Sequence, residues 1–203
     1  MIDQILLVRH GETLDNIRGV AQGWSDSVLS DRGLQQVQRL AERIGACGPT
    51  ALYSSNLPRA VSSALEVARA TGLEPRVLDD LRELNCGEWE GSTFVDVQRA
   101  EPDFFRRWTK DMSLACPGGE SFVHLAERMK RALDRIQGDD GDGRGTVVIV
   151  SHGLAIRVAA TLLLGLPLET SRSFAQDNAA LNIFQWRMDR YVLKVWNDTS
   201  HCP

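Results

Sequence analysis

Cysteine is sparse in this 203-residue chain: Cys47, Cys86, Cys116 and Cys202 stand far apart and form no C-x-x-C pair. That spacing offers neither a zinc ribbon nor the compact disulfide framework of a small secreted domain, so a reduced, cytoplasmic setting is expected. An excess of positive charge is also missing. With 23 Lys and Arg against 27 Asp and Glu, the formal charge is −4 and the pI near 5.6. Nucleic acid and anionic membranes are held by clustered cations and are therefore not expected as partners, whereas a small anion in a locally positive pocket is compatible with this balance. Long hydrophobic runs are absent too: "VAATLLLGL" falls short of the roughly 20 apolar residues a spanning helix needs. Met1-Ile2-Asp3 is not a basic segment leading into an apolar one, and no targeting signal is read there. The sequon Asn197-Asp198-Thr199 is expected to be an unmodified strand end. In "GDDGDGRG" (138–145), Arg144 takes the fifth position from Asp140 and no glutamate stands at the twelfth, so a solvated turn is expected and not a calcium loop. Its glycines precede a strand, so the dinucleotide fingerprint fails as well. No metal or cofactor is expected.

What the chain does have is 43% hydrophobic content, enough to fill a core, and a regular alternation of short apolar runs with amphipathic stretches. One domain over 1–203 is expected. "QILLV", "ALYSS", "RVLDDL" and "TVVIV" read as strands. Helices are expected after Ser30, with Leu34, Val37, Leu40, Ala41 and Ile44 on one face. A second should run from Pro58 to a stop at Gly72, a third from Gly119 through Ile136, and a fourth over "LAIRVAATLLLG". "ALNIFQWRM" and "YVLKVW" suggest a terminal hairpin whose turn is not the favoured Asn-Gly type. Residues 9–30 read as an unusually long loop, and about 92–120 as an inserted, cap-like segment. The order of elements predicts a three-layer α/β/α fold with a mainly parallel central sheet, whose ligands bind beyond the carboxyl ends of the strands.

Chemistry concentrates at those ends. "LLVRHGETLDN" leaves its strand through Arg9, His10 and Glu12. Arg59 opens a helix, Glu83 follows "RVLDDL", and His152 follows "TVVIV". Arginine at a helix start opposes the helix dipole unless an anion is present. Two guanidinium groups, two imidazoles and a carboxyl suit a phosphoryl group. Planar cations clamp its oxygens, and a neutral imidazole can attack phosphorus to give a covalent intermediate.

"LLVRHGETLDN", "YSSNLPRA", "LRELNCGEWEG" and "VIVSHG" together resemble, in order and over nearly the whole chain, the four blocks of the histidine phosphatase superfamily, also called phosphoglycerate mutase-like. The resemblance implies that His10 is the phosphorylated nucleophile. Arg9, Arg59 and His152 would clamp phosphate, and Glu83 would donate the proton to the leaving oxygen. Asn16 and Gln22 would complete the pocket, with the Gly153 backbone N–H facing it. A backbone carbonyl accepting from the other His10 nitrogen would keep the attacking one neutral. The function expected is metal-independent hydrolysis of a small phosphorylated metabolite.

Several rivals accompany that reading. His10, His152 and Glu83 could bind zinc, but two adjacent arginines would repel the cation. A phosphoglycerate mutase would use the same phosphohistidine, and a non-catalytic phospholigand-binding protein would keep the clamp alone. "PDFFRRWTKD", "PGGES" and "SFAQDNAALN" are similar to metal-independent phosphoserine phosphatases, although Cys86 stands where a histidine is expected in those. Arg106, Arg107 and Lys110 are candidate readers of a substrate carboxylate, and Phe104, Phe105 and Trp108 candidate walls of the substrate entrance; a solvated charge run and simple core packing are the alternatives. Glu12 is read as orienting its neighbours, His124 as a polar-face residue, and His201 and Cys202 as a frayed terminus. Strand edges near the hairpin leave room for a homodimer.

Overall fold

A six-stranded sheet in the order β3-β2-β4-β1-β5-β6 forms the centre of the computed structural model, which describes residues 1–140 and 145–202. β1 (Gln4–Arg9), β2 (Ala51–Ser54), β3 (Pro75–Val77) and β4 (Thr146–Ser151) are parallel, and the β5 (Leu181–Arg187) and β6 (Arg190–Asp198) hairpin adds to β1 antiparallel. The helices are α1 (Leu14–Arg18), α2 (Asp31–Gly45), α3 (Pro58–Thr71), α4 (Phe94–Ala100), α5 (Pro102–Trp108), α6 (Phe122–Asp140) and α7 (Gly153–Leu164). Because side chains alternate across a strand, each buried strand feeds two cores. Leu6, Val8, Leu52, Val148 and Val150 pack against Leu40 and Ile44 of α2 and Ala64 and Val67 of α3. Ile5, Leu7, Tyr53, Val147 and Ile149 belong to the opposite core, with Leu125 and Met129 of α6 and Ile156 and Ala159 of α7. This is the expected mainly parallel α/β layer fold. Among the described residues, no helix is long and apolar enough to cross a membrane.

Several local expectations change. The 9–30 loop contains α1, started by a reciprocal capping box between Thr13 and Asn16 and stopped by Gly19 at φ 72°. "RVLDDL" yields only the three-residue β3, starting at Pro75, before Asp79–Leu81 turn into a 3-10 helix; paired aspartates favour such turns over a ladder. α6 starts at Phe122 and not Gly119, because the Ser121 hydroxyl oxygen accepts from the His124 N–H at 3.1 Å. His124 itself is exposed. α6 also runs on to Asp140, so the turn expected over 138–145 is helical at its start, and 141–144 lie outside the described residues. The hairpin turns on Met188 and Asp189, both at positive φ (48° and 62°). That is the backbone the strand twist demands even without Asn-Gly.

His201 and Cys202 are tied down and not frayed. His201 accepts at Nδ1 from Arg43 (3.2 Å) and its Nε2 donates to the Ala179 carbonyl (3.0 Å), while Cys202 packs against the α2/α3 core. In the 92–120 segment, Trp108 packs on Trp89, Phe94, Phe105 and Phe122, and Phe104 meets Trp89 edge-on. These aromatics join the segment to the α6/α7 side of the sheet.

Candidate active site

Sheet register makes the first decision about the site. β1 pairs with β4 in parallel so that Arg9 faces Ser151. The residue after each of these strands is a histidine, and the rings of His10 and His152 lie with centroids 5.2 Å apart. The His10 N–H donates to the Ser151 carbonyl at 3.1 Å, which holds the two strand ends together.

The His10 ring is 3% exposed and its Nδ1 lies 2.7 Å from the Gly11 carbonyl. A carbonyl can only accept, so Nδ1 carries the hydrogen and Nε2 keeps its lone pair. Burial pushes the His10 pKa well below 6.5, and the Arg9 and Arg59 charges add to that shift. His10 is thus held neutral with a defined tautomer. His152 is also held well below 6.5, by burial first and then by Arg59. Its Nε2 lies 2.8 Å from the Ser55 hydroxyl, which in turn accepts from the Leu57 N–H at 3.2 Å. The Ser55 hydrogen is free to go to Nε2, which leaves the His152 proton on Nδ1, a buried atom with no partner among the described residues.

Both shifts carry a stability consequence. Below pH 6.5 the unfolded chain protonates these imidazoles while the folded one does not. Stability is therefore full above 6.5 and falls as pH drops toward the lowered native values. The slope is up to about 1.4 kcal/mol per pH unit for each histidine. Urea unfolding from pH 7.5 to 5.0 is expected to show this loss, with a shallower slope in His152→Asn.

A cavity of about 430 Å³ opens over these strand ends, lined by Arg9, His10, Asn16, Gln22, Arg59, Glu83 and Gly153 among others. The structure thus brings seven of the eight sequence-predicted site residues to one wall, while His152 lies behind it, fully buried against His10. Arg59 is 1% exposed and donates to the carbonyls of Ser25 (2.9 Å) and Gly23 (2.7 Å). Gly23 can offer that carbonyl because it sits at φ 51°, where a Cβ would also strike the Glu90 carboxylate at 2.0 Å. Arg9 donates to the Gln176 carbonyl. Burial lowers the pKa of both arginines, yet a guanidinium keeps its charge. The Nε of each is buried without a partner among the described residues. Asn16 Oδ1 accepts from the Thr13 N–H and hydroxyl and from Asn178, and Gln22 donates to the Thr13 hydroxyl at 2.8 Å.

Glu83 is aimed at the site by the start of α7. Its carboxylate accepts from the N–H groups of Leu154 and Ala155, both at 3.1 Å, and from its neighbour Leu84 at 2.9 Å. The first N–H of α7, that of Gly153, heads the helix dipole at the cavity wall. Among the described residues, no three His, Cys, Asp or Glu side chains gather as a metal-holding group.

Other residues of the site escaped the sequence reading. Arg128 of α6 donates to the carbonyls of Arg82 (2.6 Å), Glu83 (2.6 Å) and Asp80 (3.1 Å) and pairs bidentately with Glu120 at 2.9 and 2.8 Å. The Trp24 indole N–H donates to the Glu83 carbonyl at 2.8 Å. Both fix the backbone that carries Glu83. A charge inside the apolar stripe Leu125, Met129, Ala132 was the available signal for Arg128. Arg128→Met removes the cation from a Glu120 carboxylate whose side chain is 17% exposed and leaves it only the Asn85 N–H, and is expected to cost about 3 kcal/mol in chemical unfolding. A loss below about 1 kcal/mol would contradict this role. Phe94, Cys86, Leu154, Arg157 and Gln176 also line the cavity. Phe104, Phe105 and Trp108 do not, being turned into the aromatic cluster, nor do Arg106, Arg107 and Lys110. Arg106 pairs with Asp103 and Arg107 lies over the Phe104 ring. Glu12 accepts from the Ser30 hydroxyl at 2.8 Å and pairs with Arg32, away from the cavity.

A family model for the histidine phosphatase superfamily (branch 1) matches residues 5–199, and the chain belongs to that superfamily. It is a phosphomonoesterase by class. Phosphoserine phosphatase 1 of Hydrogenobacter thermophilus is 34% identical over 98% of this chain and 93% of its own length; the metal-independent phosphoserine phosphatase of Arabidopsis thaliana is 34% identical over 98% and 83%. A probable phosphoglycerate mutase of Erwinia tasmaniensis is 35% identical over 98% and 94%. Among solved structures, mycobacterial glucosyl-3-phosphoglycerate phosphatase complexed with VO3 superposes with TM-score 0.88 at 31% identity, covering 96% of this chain and 99% of that one.

Proposed function

We propose that this chain hydrolyses small phosphate monoesters by two in-line displacements at His10, with phosphoserine-like esters as the leading substrates. The observation that carries the proposal is the Nδ1 contact to the Gly11 carbonyl, which leaves a neutral Nε2 on a cavity walled by Arg9 and Arg59. In the first step the Nε2 lone pair attacks phosphorus and the P–O ester bond breaks. Glu83, entering this step as the carboxylic acid that the second step regenerates, gives its proton to the departing alkoxide. In the second, Glu83 takes a proton from water, the water oxygen attacks phosphorus, the N–P bond breaks, and phosphate leaves with His10 neutral again.

The fixed charges stabilise both transition states. Arg9, Arg59 and the N–H of Gly153 meet the equatorial oxygens, with Asn16 and Gln22 bordering them and His152 packed behind His10. The segment 92–120 acts as a cap whose contribution to the cavity is Phe94. The curated relatives named for phosphoserine support the substrate class. The test is a panel of phosphate monoesters with and without chelator. Turnover is expected to be undiminished by chelation; activity lost to the chelator and restored by a metal would overturn the proposal. The relatives named as probable mutases make phosphoglycerate transfer the second reading. It would show as 2-phosphoglycerate formed from 3-phosphoglycerate only with a bisphosphoglycerate primer.

A further inference from the structure

Arg157 is the lone charge in the helix α7, "GLAIRVAATLLL", and its position one turn beyond Glu83's amide donors brings it to the cavity wall. It differs from the other arginines of the site. Arg9 and Arg59 are held by backbone carbonyls, and Arg128 by Glu120. Half-buried Arg157 makes no hydrogen bond or ion pair among the described residues, and its Nε is buried without a partner. On the same cavity sits Gln176, 5% exposed, with both its amide oxygen and its amide nitrogen unpartnered. Its backbone carbonyl meanwhile holds Arg9, so the backbone that carries this amide is tied to the phosphate clamp. Polar groups withdrawn from water without partners are costly, and three such atoms on one wall are satisfied by a ligand group that both accepts and donates.

We propose that Arg157 and Gln176 form a second subsite beside the phosphate clamp that reads a carboxylate carried by the alcohol half of the substrate. The guanidinium fork matches a carboxylate bidentately. The Gln176 N–H group reaches the same carboxylate, and its oxygen accepts from an ammonium or hydroxyl on the adjoining carbon. Charge selects a monoanion over a second phosphate, because Arg157 shares its surroundings with Glu83 and Asp177. The substrate class is thus phosphorylated hydroxy acids and hydroxyl-bearing amino acids, as opposed to plain alkyl phosphates. Cys86, also on the cavity wall, is an uncharged thiol and offers no such contact.

This inference rests on the phosphatase reading for its kinetic test but not for its binding test. O-phosphoserine and phosphoethanolamine differ only by the carboxylate. In Arg157→Gln, the ratio of their kcat/KM values is expected to fall about ten- to a hundredfold. The change should lie mainly in the KM for O-phosphoserine, with partial recovery in Arg157→Lys. Gln176→Leu is expected to lower the same ratio. An unchanged ratio in Arg157→Gln, or equal losses on both substrates, would overturn the subsite. Equilibrium binding of the two ligands is measured in His10→Ala with and without Arg157→Gln. A preference for O-phosphoserine that depends on Arg157 supports the subsite even if the wild-type protein turns over neither ester, an outcome that would remove the phosphatase reading alone. Equal Kd values for the two ligands would remove the subsite whatever the turnover.

Discussion

His10→Ala is expected to lower kcat/KM on every phosphate monoester by at least about a thousandfold, because it deletes the atom that bonds to phosphorus. The remaining clamp still binds anions, so inorganic phosphate should continue to inhibit by binding, and the fold should persist. Arg59 is held by the Ser25 and Gly23 carbonyls and Arg9 by the Gln176 carbonyl, none of which depends on the imidazole. His10→Gln offers a sharper comparison. It keeps bulk and polarity but has no nucleophilic nitrogen, and it should be as inactive as alanine. Turnover within about tenfold of wild type in either variant, measured after removal of contaminating phosphatases, would mean that another group attacks phosphorus.

Glu83→Gln separates the two proton transfers. An alkoxide leaving group needs the proton, so kcat on alkyl phosphates is expected to drop by about 10²- to 10⁴-fold. A p-nitrophenolate leaving group needs none. With p-nitrophenyl phosphate the variant should therefore give a rapid burst of nitrophenol close to one per site, followed by slow hydrolysis as the phosphoenzyme waits for a base. The single amide oxygen can still accept from one of the two α7 N–H groups that the separate carboxylate oxygens bind at 3.1 Å, and the Trp24 and Arg128 bonds to the Glu83 carbonyl do not involve its side chain, so the loop is expected to keep its place. Equal losses on both substrate types, with no burst, would assign Glu83 to structure and not to proton transfer.

The legibility of this site in the sequence follows from where its residues stand. His10 and His152 each stand one residue beyond an unbroken apolar run, and an apolar run in an alternating α/β chain marks a buried parallel strand whose carboxyl end faces ligand. Ser30 and Pro58 carried their helices because capping is local chemistry, as the Ser30 hydroxyl accepting from the Gly33 N–H at 3.0 Å shows. The supporting residues were harder. Arg128, Arg157 and Gln176 act through contacts 45 or more residues away or through a cavity, and no local pattern encodes such a partner. Two of the three nevertheless left a trace, as isolated charges inside apolar helix faces.

The aromatics of 92–120 left two readings open, pocket wall and core packing, and the structure shows the second. Phe104, Phe105 and Trp108 were credible pocket walls by type, but an insertion of two short helices has little core of its own. It attaches by burying exactly those large rings against Trp89 and Phe122. The end of "RVLDDL" went the same way. Arg76 and Val77 pair with β2, while Asp79 and Asp80 belong to the turn that delivers Glu83.

Rapid-quench labelling in the presence of chelator tests the central claim most directly. With a ³²P-labelled monoester, the protein should carry up to one phosphoryl group per chain within the first turnover, on Nε2 of His10, and the label should persist longest in Glu83→Gln. Turnover with no protein-bound label at any quench time in that variant, or label on a residue other than His10, would contradict the account.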